Sequence, residues 1–135
     1  MQKDDISLPL RYDVLKRNKR IQGKTRVSEA LDKGSSTSNS FFVLRKKANG
    51  LPANCYAVLI GKKLEKSAVK RNRMRRRAYE IIRLLEKDAL VPNTPPSDIV
   101  LIARRPVQNA SFDEIQKALR SLLHSPKASL KIDLP

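Results

Sequence analysis

Apolar residues recur at helical spacing in two long stretches of the chain and gather into short runs in three other places. Across residues 67–87, Met74, Ala78, Ile81, Ile82 and Leu85 fall on one stripe at about 100° per residue, which predicts a long amphipathic helix. Ser111 and Glu114 have the spacing of a capping box. Behind them Ile115, Ala118, Leu119, Leu122 and Leu123 form the stripe of a second helix, ended by His124 and Pro126. Residues 41–46 (FFVLRK) and 55–61 (CYAVLIG) are β-prone, and the Asn49-Gly50 turn signal and Pro52 between them predict an antiparallel hairpin with a longish loop. Residues 98–103 (DIVLIA) follow a loop holding Pro92, Pro95 and Pro96, and their near-continuous apolar character predicts a strand covered on both faces. Val27, Ala30 and Leu31 mark one or two helical turns, with Gly34 expected as a left-handed cap, and residues 35–40 (SSTSNS) read as a loop. The order helix, strand, strand, helix, strand, helix predicts an α+β fold, a small mixed β-sheet packed by helices.

A chain of 135 residues, 40% hydrophobic, suffices for one domain with a modest core. That domain is expected over residues 27–124, with a basic arm at 1–26, extended or part-ordered, and a tail at 125–135. Residues 11–26 are basic enough to track a phosphate backbone. Cys55 is the single cysteine and lies in an apolar run, as a buried thiol would in a reducing, cytoplasmic setting. The first residues, MQKDDISLPLRYDV, lack the apolar core of a signal peptide, and no apolar run is long enough to cross a bilayer, so no membrane partner is expected. No obligate protein partner is evident either.

Charge changes this picture most. The net charge is +16, and it is uneven: residues 1–47 carry +7, residues 62–87 carry +8 and residues 88–135 only +1. Solubility alone would not concentrate charge in this way, so a polyanionic partner is implied. On the long helix, the side opposite the apolar stripe holds Asn72, Arg73, Arg76, Arg83 and Lys87, with Glu80 among them. Arg71 and Arg75 fall nearer the buried side, where their stems can lie over the core. Five arginines stand among the seven residues 71–77, a self-repulsion that favours a nucleic-acid face over a merely solvated one. Guanidinium forks on a rigid helix suit paired phosphate oxygens, and Asn72 adds a neutral donor and acceptor for a 2′-hydroxyl or a base edge. No catalytic set is visible, because His124 is the sole histidine and no Cys/His cluster offers metal ligands.

The run AVKRNRMRRR, residues 68–77, resembles the signature of the bacterial ribonuclease P protein family, A-V-x-R-N-R followed by basic residues on a helix. Gly34, Asn39, the FFVL strand, the Lys62-Lys63 pair and the IVLIARRP segment at 99–106 follow in the family's order, so the resemblance spans roughly residues 8–123. It implies a left-handed βαβ crossover around the arginine helix, contrary to the usual rule. It also implies that Lys62, Lys63, Arg71, Asn72, Arg73, Arg75 and Arg76 face the catalytic RNA, and the outward side of the helix adds Arg83 to that expected RNA-binding set. A cleft between the first helix and the sheet, at Val27, Leu31, Phe41, Val43 and Arg45, is implied to hold the 5′ leader of precursor tRNA.

The chain departs from the family at several of these positions. Val27 and Leu31 stand where two aromatics are usual, Arg45 replaces a strand tyrosine, Tyr79 stands where an arginine is common, and residues 64–67 lack a frequent glycine. Stacking is worth about 1–3 kcal/mol per base, so leader affinity from stacking is expected to be reduced, with Phe41 either restoring one platform on the face of Val43 and Arg45 or serving the core. By the resemblance, cleavage belongs to the RNA subunit, which holds Mg²⁺; the protein itself binds no cofactor and acts as one component of an endoribonuclease in tRNA 5′ maturation. By charge alone, a ribosomal protein or a DNA-binding regulator remains an alternative.

Overall fold

The computed structural model describes residues 19–88, 90–92 and 95–124; the expected arm before residue 19 and the tail after 124 lie outside them. In chain order the elements are α1 (Lys24–Lys33), β1 (Ser35–Ser38), β2 (Phe42–Ala48), β3 (Cys55–Leu59), α2 (Ala68–Lys87), β4 (Ser97–Ala103), a 3₁₀ turn (Arg105–Asn109) and α3 (Phe112–His124). The α+β architecture expected from the pattern is present, with one four-stranded mixed sheet.

The sheet order is β1-β2-β4-β3, which corrects the expected hairpin. β2 and β3 do not pair; β4 enters between them, antiparallel to β2 and parallel to β3. The Asn49-Gly50 signal is real as a turn, with Gly50 at φ 69, but turn chemistry fixes only a local reversal and not the partner of the returning strand. Asn49 is held here by Asp98, whose carboxylate accepts from its Nδ2 at 3.1 Å. β4 is buried along almost its whole length, as its apolar run requires of a central strand.

Two further expectations change. The serine-rich segment forms β1, an edge strand registered from Ser35 against Lys46 to Ser38 against Val43. An exposed edge needs no apolar alternation, so the sequence carried no strand signal there. Gly34 does follow α1, but at φ −76 it is not left-handed. Glycine is required for close approach instead: a Cβ there would lie 2.4 Å from the Ala30 carbonyl oxygen and 2.9 Å from that of Lys46.

Registered partners share a face, and this sorts the core into two layers. Phe42, Leu44, Tyr56, Val58, Ile99, Leu101 and Ala103 face α2 and α3 and build the larger cluster with Ile81, Ile82, Leu85, Leu119 and Leu123. Each buried Val, Leu, Ile or Phe among them contributes about 1.5–3 kcal/mol by leaving water. On the other face Ala57 and Val100 meet Ala30, with Ile21, Val27 and Leu31 at the margin. The capping box closes as expected: the Ser111 amide donates to Glu114 Oε1 at 2.8 Å, and the Glu114 amide donates to Ser111 Oγ at 3.2 Å.

Buried polar groups pin the loops. Asn54, fully buried, accepts from the Ser97 amide and donates to the Pro92 carbonyl, both at 2.8 Å, tying the start of β3 to the entry of β4. Asn39 Oδ1 accepts from the Phe41 and Phe42 amides, while its Nδ2 donates to the Ala118 carbonyl of α3. Cys55 is buried. No described helix is long and apolar enough to cross a membrane.

Candidate RNA interface

The arginine helix starts where Ser67 caps it, its side chain accepting from the Lys70 amide at 3.2 Å. Ahead of it, Glu65 accepts from the Ser67 amide and from Gln108 Nε2 of the 3₁₀ turn. These bonds hold the Glu65 carboxyl below the usual carboxylate range, with the Ser67 amide the main cause. The first turn has no acidic residue, although a helix shaped only for stability favours carboxylates there. The positive end of the dipole and the local lysines and arginines therefore add.

Ala78, Tyr79, Ile81, Ile82 and Leu85 are buried, and Met74 packs half-buried against the same cluster. With that side fixed, Asn72, Arg73 and Arg76 stand exposed on the other, and Arg83 is half-buried. Arg73 and Arg76 have no hydrogen bond or ion pair among the described residues. Lys62 and Lys63 are exposed in the turn between β3 and α2.

Two other arginines of the motif, Arg71 and Arg75, are held locally. Arg71 Nη1 donates to the carbonyls of Glu65 and Lys66, both at 2.9 Å, so it braces the turn before the helix. Arg75 Nη1 donates to Asn72 Oδ1 at 2.7 Å, which orients the Asn72 amide group.

On the opposite side of the sheet, register places Val43, Arg45 and Lys47 of β2 on one face with Ser36 and Ser38 of β1 and Asp98, Val100 and Ile102 of β4. Val27 and Leu31 lie half-buried beside this face. Arg45 donates to the Leu31 carbonyl in the last turn of α1, and so serves as a cap for that helix. Phe41 does not share the face of Val43 and Arg45. It precedes β2 and packs half-buried against the larger cluster, where it lines a shallow recess with Asn39, Ser40, Glu114, Lys117 and Ala118.

Part of the basic arm is tied into the fold. Helix α1 begins at Lys24, three residues before the expected Val27, and residues 19–22 run along the edge of β3. Arg20 bridges Tyr56 in parallel register, and the Ile21 amide donates to the Tyr56 carbonyl at 2.8 Å. Lys19 pairs with Glu86 of α2 at 3.0 Å, and Glu86 also accepts from the Tyr56 hydroxyl. Burial, and then Glu86, push the Tyr56 hydroxyl well above its usual value. Arg26 forms a two-pronged pair with Asp98, whose Oδ2 accepts from Nε at 2.9 Å. These partners lie 67 and 72 residues away, and nothing in the local pattern pointed to them. Among the described residues, no three His, Cys, Asp or Glu side chains gather as metal ligands would.

Comparison with known proteins agrees with this geometry. The family profile described as Ribonuclease P matches residues 15–127. A ribonuclease P protein component from an Exiguobacterium species is 31% identical over 113 residues, covering 84% of this chain and 94% of the relative. Another, from Mesoplasma florum, is 34% identical over 110 residues, covering 81% and 96%. The solved structure of the Staphylococcus aureus RNase P protein superposes with a TM-score of 0.66 at 26% identity, covering 86% of this chain and 95% of that one. A profile spanning most of the chain, full-length relatives above 30% identity and a shared fold place this chain in the ribonuclease P protein component family.

Proposed function

We propose that α2 docks the protein onto the catalytic RNA of ribonuclease P, while the α1 side of the sheet receives the 5′ leader of precursor tRNA. The observation that carries this reading is the pair of exposed arginines Arg73 and Arg76, without a partner among the described residues, on a helix whose other side is fixed in the core. Lys62 and Lys63 extend the same positive surface. Neutralising phosphates releases counterions, so this face supplies affinity that falls steeply with salt. A ribosomal protein or a DNA regulator would share the charge but not the membership of this family.

Bond cleavage is assigned to the RNA subunit. Mg²⁺ would be held by that RNA, with no ligand from this chain, and would supply activation of water for phosphodiester hydrolysis. The protein's own residues bind, screen the repulsion between two RNA backbones, and orient the precursor. In the cleft, Val27, Leu31 and Val43 offer apolar contact without stacking rings, and Arg45 and Lys47 offer positive charge to leader phosphates. Phe41, turned to the other layer, contributes by holding the strand.

Reconstitution tests the whole reading. Added to a bacterial ribonuclease P RNA at low Mg²⁺, the protein restores cleavage of precursor tRNA; no stimulation at any protein to RNA ratio contradicts it. Precursors with and without a leader test the cleft, and equal affinity for both would remove it from the account.

A further inference from the structure

The turn between β1 and β2 is fixed from three sides. Asn39 Oδ1 accepts from the Phe41 and Phe42 amides, and its Nδ2 reaches the Ala118 carbonyl of α3. The Arg104 amide at the end of β4 donates to the Phe41 carbonyl at 2.8 Å. Phe41 is thus held by its own backbone, with one side of its ring packed on the larger cluster. The other side lines a recess of about 340 Å³ with Ser40 of the turn and Lys117 and Ala118 of α3. This volume is at the lower end of ordinary small-ligand sites, roughly 300–1,000 Å³, and suits one planar group better than a row of them.

The groups around the ring are those that recognise a nucleotide. Ser40 and Lys117 are exposed, and neither the hydroxyl nor the ammonium has a hydrogen bond or ion pair among the described residues. The one carboxylate at the recess, Glu114, is engaged through Oε1 by the Ser111 amide of the capping box. At the rim, Arg104 Nη1 donates to the Asn39 carbonyl at 3.1 Å, and Arg105 beside it is exposed with no partner among the described residues. An aromatic ring with cations beside it is the pattern that stacks an unpaired base and follows its backbone. The ring is already fixed, so little ordering is needed on binding.

Position selects the strand that supplies the base. Val43 is two residues on from Phe41, at most roughly 7 Å along the chain. Val43 and its registered partner Ser38 belong to the opposite face, which the proposed function gives to the leader. A single strand leaving the cleft at this end of β2 crosses the turn and meets the recess. Paired regions of an RNA keep their bases stacked internally, whereas a single-stranded leader has bases free for a ring.

We propose that the Phe41 recess is a nucleobase site that takes one unpaired base of the 5′ leader, beyond the nucleotides lying in the cleft. That the base comes from the leader rests on the function proposed above; the stacking of an unpaired base on this ring does not. The ring offers a face to any base, so the site responds to leader length more than to leader sequence.

The test has two arms. In the first, the full chain is titrated with single-stranded hexa-adenylate while the Phe41 ring resonances are followed, with ribose 5-phosphate as control. A saturable upfield shift with the oligonucleotide alone is expected. No shift, or the same shift with ribose 5-phosphate, overturns the nucleobase site. In the second, the reconstituted holoenzyme binds precursor tRNAs whose leaders lengthen one nucleotide at a time. Affinity rises as the cleft fills and rises again at one further nucleotide. An abasic residue at that nucleotide weakens binding about tenfold for the intact protein and has no effect with Phe41→Leu. Because the abasic scan leaves the protein unchanged, a folding defect in the variant cannot produce the loss. A rise confined to the first nucleotides, with no abasic position that depends on Phe41, overturns the leader as occupant and leaves the cleft standing. No gain from a leader of any length overturns the cleft and this assignment together, and the first arm then decides the ring site alone.

Discussion

On the outer side of α2, Arg73 and Arg76 stand exposed with no partner among the described residues, whereas on the α1 side of the sheet Arg26 is paired with Asp98 and Arg45 with the Leu31 carbonyl. The same residue type thus does two jobs. Arginines satisfied inside the fold hold α1 against the sheet, and their charge is partly neutralised or fixed in direction. Arginines left unpaired keep their donors for another molecule. Count alone does not distinguish these surfaces, since both are basic; pairing does.

Four variants break or sharpen this contrast. The largest effect belongs to Arg73→Ala combined with Arg76→Ala. Each charge-assisted bond to a phosphate is worth about 1.5–3 kcal/mol, so losing two weakens affinity for the RNA subunit by at least about 100-fold while the melting temperature stays within a few degrees. A large loss of stability with unchanged affinity would reverse the roles of the two regions. Next, Asp98→Ala removes the carboxylate that holds Arg26 and leaves Asn49 only its bond to the Ala53 carbonyl; it lowers stability by about 2 kcal/mol in urea unfolding, with little effect on RNA affinity under folding conditions. Arg45→Met removes the cap on α1 and costs about 1 kcal/mol, seen as faster amide exchange in residues 30–34. The smallest effect is a gain: Val27→Phe supplies a stacking ring, and preference for leader-bearing precursor rises about fivefold, near 1 kcal/mol.

Much of this was legible in the chain. Both long helices follow from 3.6-residue periodicity and their caps, because their stabilising contacts are repeated along a single element. The central burial of β4 follows from its unbroken apolar run. The pairing of β4 between β2 and β3 was not legible, since Asn49-Gly50 speaks only for the local turn and the choice of partner is made by strands 40 or more residues apart. β1 was missed because its serines carry no alternation at an exposed edge. Gly34 gave the right boundary for a different reason, close approach rather than left-handed backbone.

The candidate interface shows the same division. Asn72, Arg73 and Arg76 were assigned outward by the wheel, and they are exposed. That Arg71 braces the preceding turn, that Arg75 orients Asn72, and that Lys19 and Arg26 are tied to Glu86 and Asp98 depends on distances no single helix encodes. Tyr79, which the sequence marked only as a departure from an expected arginine, proves to be a buried anchor for both β3 and Arg20.

The most direct measurement is the slope of log affinity for the ribonuclease P RNA against log salt concentration, taken for the intact protein and for the Arg73→Ala, Arg76→Ala variant. Each phosphate contact contributes about 0.7–0.9 to the slope, so the variant line is shallower by about 1.5. Parallel lines would mean that these two arginines touch no phosphate, and that the exposed face of α2 is not where the RNA binds.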